Sequence, residues 1–355
     1  MKGLVLSGGT GSRLRPLTHT SAKQLIPIAN KPILFYVLED IKNAGIEEVG
    51  IIVGHTKDEV IAAVGDGSKF GLKVTYIEQE APLGLAHAVK ISEDYLGDEP
   101  FVMYLGDNIL KNGIKDHVET FKKGTCDALI SLCRVKHPER FGVAEMEGNR
   151  IVRLVEKPKH PKSDLALVGI YFFTKPIFEA VKRIKPSKRN ELEITDAIQE
   201  LINMNYKVEA KIVEGWWKDT GRPEDVLEAN QLILSDLKSY DYSTKEENVL
   251  IQGQVAIGKN TVIKRNTKIR GPVIIGESCE IGPNTYIGPY TSIGDNTIIK
   301  NGEIEFSIII GDVYIDCGKR IIESLIGKGS KITSSSDNIP PACKLILGDN
   351  SFINI

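Results

Sequence analysis

Short β-branched runs alternate with helix-period segments over residues 1–236, and isoleucine recurs at every sixth position from Ile257 to Ile299. These two patterns predict an α/β protein in two parts: a Rossmann-like three-layer domain with a mixed, mostly parallel sheet, then a left-handed parallel β-helix. A third observation orients the first part. The opening apolar run ends in a glycine-rich loop, and ligands of such sheets collect beyond the carboxyl ends of the strands.

The elements justify this in order. Strands are expected at Gly3–Leu6, Val49–Val53, Val74–Ile77, Phe101–Leu105, Ala128–Val135, Ile151–Val155 and Gly169–Phe173, each rich in β-branched or aromatic residues. Between them, Pro32 sits at a first-turn position ahead of apolar residues at 33, 34, 37, 38 and 41, and Gly45 closes that helix. Similar periodicity predicts helices over Lys57–Val64, Pro176–Ile184, Asp196–Asn203 with Thr195 as its N-cap, and Pro223–Leu234. The pattern lapses into polar residues over 237–249, which reads as a linker. In the repeat, Ile257, Ile263, Ile269, Ile275, Ile281, Ile287, Ile293 and Ile299 would point into a narrow shaft, and the five glycines that follow them would ease the corners. The period loosens after Asn301 and returns at Ile326 and Ile332. The expected division is therefore 1–236, a linker over 237–249, a β-helix over 250–332, and a cap or tail over 333–355.

Composition narrows the partners. The 355 residues exceed what one compact core usually holds, and 26% charged residues with a net charge of −2 carry no nucleic-acid footprint. No apolar stretch approaches a membrane span and no signal-peptide pattern opens the chain. Cys126, Cys133, Cys279, Cys317 and Cys343 are scattered without C-x-x-C spacing, which points to a reducing cytoplasm with neither a zinc site nor a disulfide framework. Small-molecule substrates, no nucleic acid, no membrane and a homo-oligomer are the expectation.

The chemistry-bearing residues lie at strand ends. In Ser7-Gly8-Gly9-Thr10-Gly11-Ser12-Arg13, glycines let backbone N–H groups close on a phosphate, and Arg13 and Lys23 add two cations. The spacing fits neither a dinucleotide fingerprint nor a P-loop. Asp107 ends the apolar run Phe101–Leu105, where a hard oxygen ligand suits Mg²⁺ on phosphates; the same Gly-Asp-Asn also suits a turn. Asp219, shortly before Pro223, reads either as a second metal ligand or as a helix-entry aspartate. Lys157, after the strand at 151–155, and Arg189, before the helix at 196, could hold a second phosphate or be solvated surface charges.

Charge arithmetic links these groups. Unit charges 4 Å apart repel by about 4 kcal/mol at an effective dielectric near 20, so two phosphate substrates need several cations between them. A phosphate monoester loses its second proton near pH ~6, so its oxygen attacks as an anion and no general base is required. The six histidines, His19, His55, His87, His117, His137 and His160, all precede the repeat, whereas an acyltransferase built on that repeat would want a histidine base there. A sugar acyltransferase is disfavoured on this ground.

With Leu-Ser-Gly-Gly-Thr-Gly-Ser-Arg13-Leu-Arg-Pro-Leu-Thr and Lys23-Gln24, followed in order by Gln79…Pro82-Leu-Gly84, Gly106-Asp107, Phe141-Gly142, Glu156-Lys157-Pro158, Gly169, Arg189…Glu191 and Trp217-Lys-Asp219-Thr-Gly, the chain resembles the long-form glucose-1-phosphate thymidylyltransferases. These are sugar-nucleotide pyrophosphorylases with a hexapeptide-repeat tail, and the similarity runs from Met1 to about residue 332. The resemblance implies that the first part is a nucleotidyltransferase domain. It implies a nucleotide site of Leu6, Gly8, Gly9, Gly11, Ser12, Arg13, Lys23, Gln24, Gln79, Pro82, Gly84 and Asp107, with Gln24, Gln79 and Gly84 at the base. Gly142, Glu156 and Gly169 would face the glucose hydroxyls, Leu167 would contact the sugar through its backbone, and Lys157 and Arg189 would grip the sugar phosphate. Asp107 and Asp219 would bind Mg²⁺, and Arg13, Lys23, Lys157 and Asp107 would carry catalysis. The implied reaction joins dTTP, or UTP, to glucose 1-phosphate, giving dTDP-glucose and pyrophosphate for nucleotide-sugar biosynthesis such as the dTDP-rhamnose pathway. Three positions depart from the family pattern: Ser7 for alanine, Asn190 for glycine, and Leu167 for the valine of short-form relatives.

Overall fold

The computed structural model describes residues 1–148, 150–334 and 350–353. The chain divides into two compact units. Unit 1 holds Met1–Thr10, Ser21–Leu25 and Ile33–Asp219, and unit 2 holds Gly11–Thr20, Ile26–Pro32 and Thr220–Ile355.

Unit 1 is a mixed, mostly parallel sheet flanked by helices. Its strands are β1 (Lys2–Leu6), β2 (Glu48–Val53), β3 (Lys73–Glu78), β4 (Phe101–Leu105), β5 (Asn108–Leu110), β6 (Ala128–Arg134), β7 (Gly142–Glu147), β8 (Arg150–Glu156), β9 (Leu165–Phe173), β10 (Val208–Ile212) and β11 (Trp217–Asp219). The main path runs β8-β7-β9-β4-β1-β2-β3, with β6 pairing β9 and β10 pairing β6. The pairs among β1, β2, β3 and β4 are parallel and those of β9 are antiparallel. Successive residues of β1 face opposite layers. Leu4 and Leu6 join one buried cluster with Phe101, Met103 and Phe173, while Val5 joins another with Leu34, Val37 and Val102. The second cluster receives the apolar stripe of α1 (Ile33–Asn43), whose Ile33, Leu34, Val37, Leu38 and Ile41 are buried as their spacing predicts.

All the expected strands and helices form, with shifts of a residue or two at their ends, except that the strand expected at Gly169–Phe173 begins four residues earlier, at Leu165. Helix α1 starts at Ile33 and leaves Pro32 in a two-residue strand before it. Thr195 is not the N-cap of its helix: α2 spans Ile194–Asn203 behind an extended Glu193, and the Thr195 hydroxyl is turned to Glu156 instead. Strands β7 and β10 and the helices Leu85–Ile91 and Lys115–Phe121 were not anticipated, because they are short and only partly apolar.

In unit 2 the eight isoleucines spaced six apart from Ile257 to Ile299 are all buried and stack in a left-handed β-helix of three parallel sheets. The loosening after Asn301 is a shortened coil: Ile269 pairs Ile287, and Ile287 then meets Ile304 one residue sooner. The shaft continues through Ile309 and Ile315 to Ile326 and Ile332. The stretch read as a linker carries Tyr240–Asp241 and Thr244–Lys245, which pair with Ala256–Ile257 and Val262–Ile263 and open the first coil. They escape the hexad reading because their side chains are exposed and polar. Of the expected cap, 335–349 and 354–355 lie outside the described residues, as does Cys343; Cys126, Cys133, Cys279 and Cys317 are free thiols.

Helix α3 (Pro223–Leu234) lies against the β-helix within unit 2. Its buried Asn230 accepts from Ala29 N at 2.9 Å and from Ser292 Oγ at 2.6 Å, and donates to Tyr290 O at 3.1 Å. Asn30 Nδ2 donates to Ile293 O at 2.7 Å. The segment Ile26–Pro32 is therefore tied to the β-helix by side-chain amides. No helix among the described residues is long and apolar enough to cross a membrane.

Candidate active site

Parallel strands deliver three loops to one edge of unit 1. Leu6 and Leu105 are partners in register, so Ser7-Gly8-Gly9 and Gly106-Asp107 leave neighbouring strand ends. Gly106 N donates to Leu6 O at 2.9 Å and Gln79 N to Val53 O at 2.8 Å, which carries the loops after β4 and β3 to the same edge. This is where the topology places ligands in an open α/β sheet.

Lys23 and Asp107 meet there. Lys23 sits in a one-turn helix whose preceding Ala22 N donates to Glu59 at 2.7 Å, and its ammonium pairs with Asp107 Oδ2. A side chain on Gly9 would come within 3.0 Å of Lys23 Cε, so Gly9 gives that lysine its path. Asp107 is 7% exposed. Burial pushes its carboxyl up, but the Lys23 ammonium and the Asn108 amide override this and hold it below the ordinary aspartate range. Asp107 Oδ1 accepts from Asn108 Nδ2 at 3.0 Å, and Asn108 Oδ1 accepts from Trp217 Nε1 at 2.6 Å.

Asp219 reaches the same place by strand pairing. Strands β5 and β11 are antiparallel with Asp219 opposite Asn108, so the two carboxylates singled out in the sequence stand one residue apart in register. Two aspartates are the usual protein share of a Mg²⁺ site that takes its remaining ligands from phosphates and water. The donor set fits that ion: both groups are hard oxygen ligands, and among the described residues no group of three or more His, Cys, Asp or Glu suggests a closed all-protein cage. Oδ2 of Asp107 is held by the Lys23 ammonium.

The loop expected at a base is built around Gln79. Its Nε2 donates to Gly84 O at 3.2 Å and lies 3.0 Å from His87 Nδ1, while its Oε1 is near Gly8. Burial, with Lys90 second, lowers the His87 pKa, which suits a neutral ring accepting at Nδ1. Gly84 has φ of +104°, and a Cβ there would fall 2.3 Å from Leu192 O, so only glycine lets this loop meet the 187–193 segment. Pro82 is exposed beside it. Gln24 is 1% exposed with its Oε1 lacking a protein partner, and Ser7 Oγ is likewise buried and unpaired among the described residues.

A second cluster gathers the residues expected to hold the sugar. A Cβ on Gly142 would lie 2.7 Å from Thr195 Cγ2, 3.2 Å from Glu156 Oε2 and 3.6 Å from Leu167 Cδ2. Glu156 Oε1 pairs with Lys157 Nζ at 3.4 Å and Arg189 Nη1 at 3.6 Å. Lys157 has a positive φ of 39°, a conformation uncommon for residues that carry a Cβ. Asn190 adopts φ 64°, the left-handed conformation that asparagine tolerates, and so fills the place of the family's glycine. Gly169, inside β9 at φ +80°, brings this cluster to the first: its Cβ would lie 3.3 Å from Asn108 Cγ.

The structure thus groups Gly8, Gly9, Lys23, Gln24, Gln79, Gly84, Asp107 and Asp219 at one strand edge, with Leu6 at the end of β1, and Gly142, Glu156, Lys157, Leu167, Gly169 and Arg189 in the adjoining cluster. Gly11, Ser12 and Arg13 fall in unit 2, where Gly11 at φ 63° opens a one-turn helix over Ser12–Leu14 and its carbonyl accepts from Thr18 Oγ1 at 2.7 Å. Sequence reasoning missed Asn108, Trp217, His87 and Thr195 as orienting residues. Only the first two had a local signal, standing beside the two aspartates. A separate cavity of ≈ 1050 Å³, lined by Arg134, Glu145, Glu147, Asp164 and Glu209 among others, contains none of the expected residues and is dominated by carboxylates.

The family model described as nucleotidyl transferase matches residues 2–236, and one described as GMPPB C-terminal domain matches 269–350. The chain is 53% identical to a glucose-1-phosphate thymidylyltransferase of Streptomyces antibioticus, over 100% of this chain and 99% of the relative. It is 49% identical to a low-salt glycan biosynthesis nucleotidyltransferase of Haloferax volcanii over 100% of both chains. A Bacillus anthracis crystal structure described as a glucose-1-phosphate thymidylyltransferase, in complex with sucrose, superposes with a TM-score of 0.63 at 37% identity, covering 68% of this chain and 98% of that one. A glycine-rich loop at a strand end, a lysine–aspartate pair and a family match over residues 2–236 lead to one conclusion: the chain belongs to the nucleotidyl transferase family.

Proposed function

We propose that the protein transfers a thymidylyl group from dTTP to α-D-glucose 1-phosphate, with Mg²⁺, giving dTDP-glucose and pyrophosphate. The observation that carries this reading is the meeting of Lys23 and Asp107 beneath the Gly8-Gly9 loop, with Asp219 opposite Asn108 in the β5–β11 ladder. Mg²⁺ held by Asp107 and Asp219 would supply charge neutralisation between the two substrates. Lys23 would contact the phosphates, and Gly8, Gly9 and Gly11 would offer backbone N–H groups to the triphosphate. Arg13 stabilises charge on the α-phosphate and the departing pyrophosphate. Lys157 and Arg189 hold the sugar phosphate, Glu156 and the Gly142 and Gly169 backbones take the sugar hydroxyls, and no residue is needed as a base.

Gln24 supports the pyrimidine. A buried amide oxygen without a partner among the described residues suits the imide N–H that thymine and uracil share. UTP is the second reading for the same reason, since one methyl is worth about 0.8 kcal/mol of burial, roughly fourfold. The enzyme would work as a cytoplasmic homo-oligomer divided near residue 236 into a catalytic part and a β-helix. The test is pyrophosphate release across nucleoside triphosphates and sugar 1-phosphates, with Mg²⁺ and with a chelator. Fastest release with dTTP and glucose 1-phosphate, abolished by the chelator, is expected; no release with any pair refutes the reading.

A further inference from the structure

Arg189 stands among carboxylates. Its Nη2 donates to Glu191 and, more distantly at 3.4 Å, to Glu193 Oε2, its Nε lies 3.3 Å from Glu193 Oε1, and its Nη1 lies 3.6 Å from Glu156 Oε1. Lys157 is the other cation, 3.4 Å from Glu156. Two cations therefore already face three carboxylates, and a phosphate dianion entering this cluster meets net negative charge.

The carboxylates are not equivalent. Glu193 is fixed: its side chain is 5% exposed, it accepts from Ser187 Oγ at 2.7 Å, and its backbone caps α2. Glu156 is fixed by Thr195, whose hydroxyl donates to Oε2 at 3.3 Å. Glu191 is different. Its side chain is 31% exposed and lies on the tight turn closed by Ser187 N to Glu191 O at 2.8 Å, where a rotation at χ angles takes the carboxylate to water without moving the backbone.

We propose that Glu191 is a surrogate for the sugar phosphate: its carboxylate occupies the guanidinium edge of Arg189 in the free protein, and the substrate binds by displacing it. This rests on the proposed role of Arg189. Glu191 is a positioning residue that acts through the arginine. Its consequence is selectivity. Inorganic phosphate exchanges one anion for another on Arg189 and gains little, whereas a sugar phosphate adds contacts at Gly142, Glu156 and Gly169 that complete the exchange.

Calorimetric binding of inorganic phosphate and of glucose 1-phosphate to the full chain, wild type and Glu191→Gln, tests this, with Arg189→Ala alongside. The expected result is about fivefold tighter binding of both ligands to Glu191→Gln, the scale of one partly exposed ion pair, with a matching fall in KM for the sugar phosphate and none for the nucleotide. Unchanged or weaker binding by Glu191→Gln while Arg189→Ala loses binding overturns the surrogate alone. Unchanged binding by Arg189→Ala overturns the role of Arg189, and the surrogate with it.

Discussion

Trp217 donates its indole N–H to Asn108 Oδ1 at 2.6 Å, across 109 residues of chain, and Asn108 passes the restraint on to Asp107. The contact fixes which way the Asn108 amide faces, and so which carboxylate oxygen of Asp107 it occupies. Trp217→Phe keeps the edge-to-face packing on Phe141, whose ring lies 5.2 Å away, but removes the donor. The half-saturating Mg²⁺ concentration should rise about tenfold, with stability falling by only ~1 kcal/mol. A metal titration of the rate decides; an unchanged Mg²⁺ dependence would make the contact purely structural.

Arg13 follows the left-handed Gly11 in a single turn of helix that is grouped with unit 2. If it stabilises the departing pyrophosphate, Arg13→Ala should lower turnover by about a hundredfold while the dTTP KM moves far less. Steady-state kinetics in both substrates measure this. A loss confined to the nucleotide KM would assign Arg13 to ground-state binding.

His117 is buried against Phe172, its ring stacked at 6.3 Å, with Nε2 unpaired among the described residues. Burial first, and then Lys211, pushes its pKa down to about 4, against a smaller opposing pull from Asp116. The unfolded chain takes up this proton near pH 6.5, and the folded chain only near 4. Acidification therefore favours unfolding, and stability should fall by about 3 kcal/mol from above pH 6.5 to below 4 through this group alone. His117→Phe should flatten that part of the profile. Denaturant titrations at pH 7.5 and 5 check it, and parallel profiles for the two proteins would contradict the assignment.

Asn230 joins three segments of unit 2 through Ala29, Tyr290 and Ser292. Asn230→Leu matches its size but leaves those groups unpaired in the interior, and should cost about 2–4 kcal/mol. A thermal shift of less than a degree or two would show that water replaces the amide.

The β-helix was legible because one inward isoleucine per hexad repeats without a miss until Ile299, and the strand edge was legible because glycines and Asp107 punctuate apolar runs. What stayed hidden depends on distant pairing. Nothing local in Asn108–Leu110 or Trp217–Asp219 announces that these three-residue strands meet, yet their ladder sets Asp219 opposite Asn108. The grouping of Gly11–Thr20 and Ile26–Pro32 with the β-helix is equally silent, since Asn230 and Asn30 carry no periodic signal. Thr195 misled because a threonine before a helical run is normally a cap, and here the neighbouring Glu156 carboxylate competes for its hydroxyl.

The central claim is a single displacement in which the sugar phosphate oxygen attacks the α-phosphate without a base or a covalent enzyme intermediate. The most direct test is the configuration at the α-phosphorus when dTTP carrying a chiral α-thiophosphate reacts with glucose 1-phosphate. One in-line step predicts inversion; retention would mean two displacements through a nucleotidylated side chain, and would contradict the account.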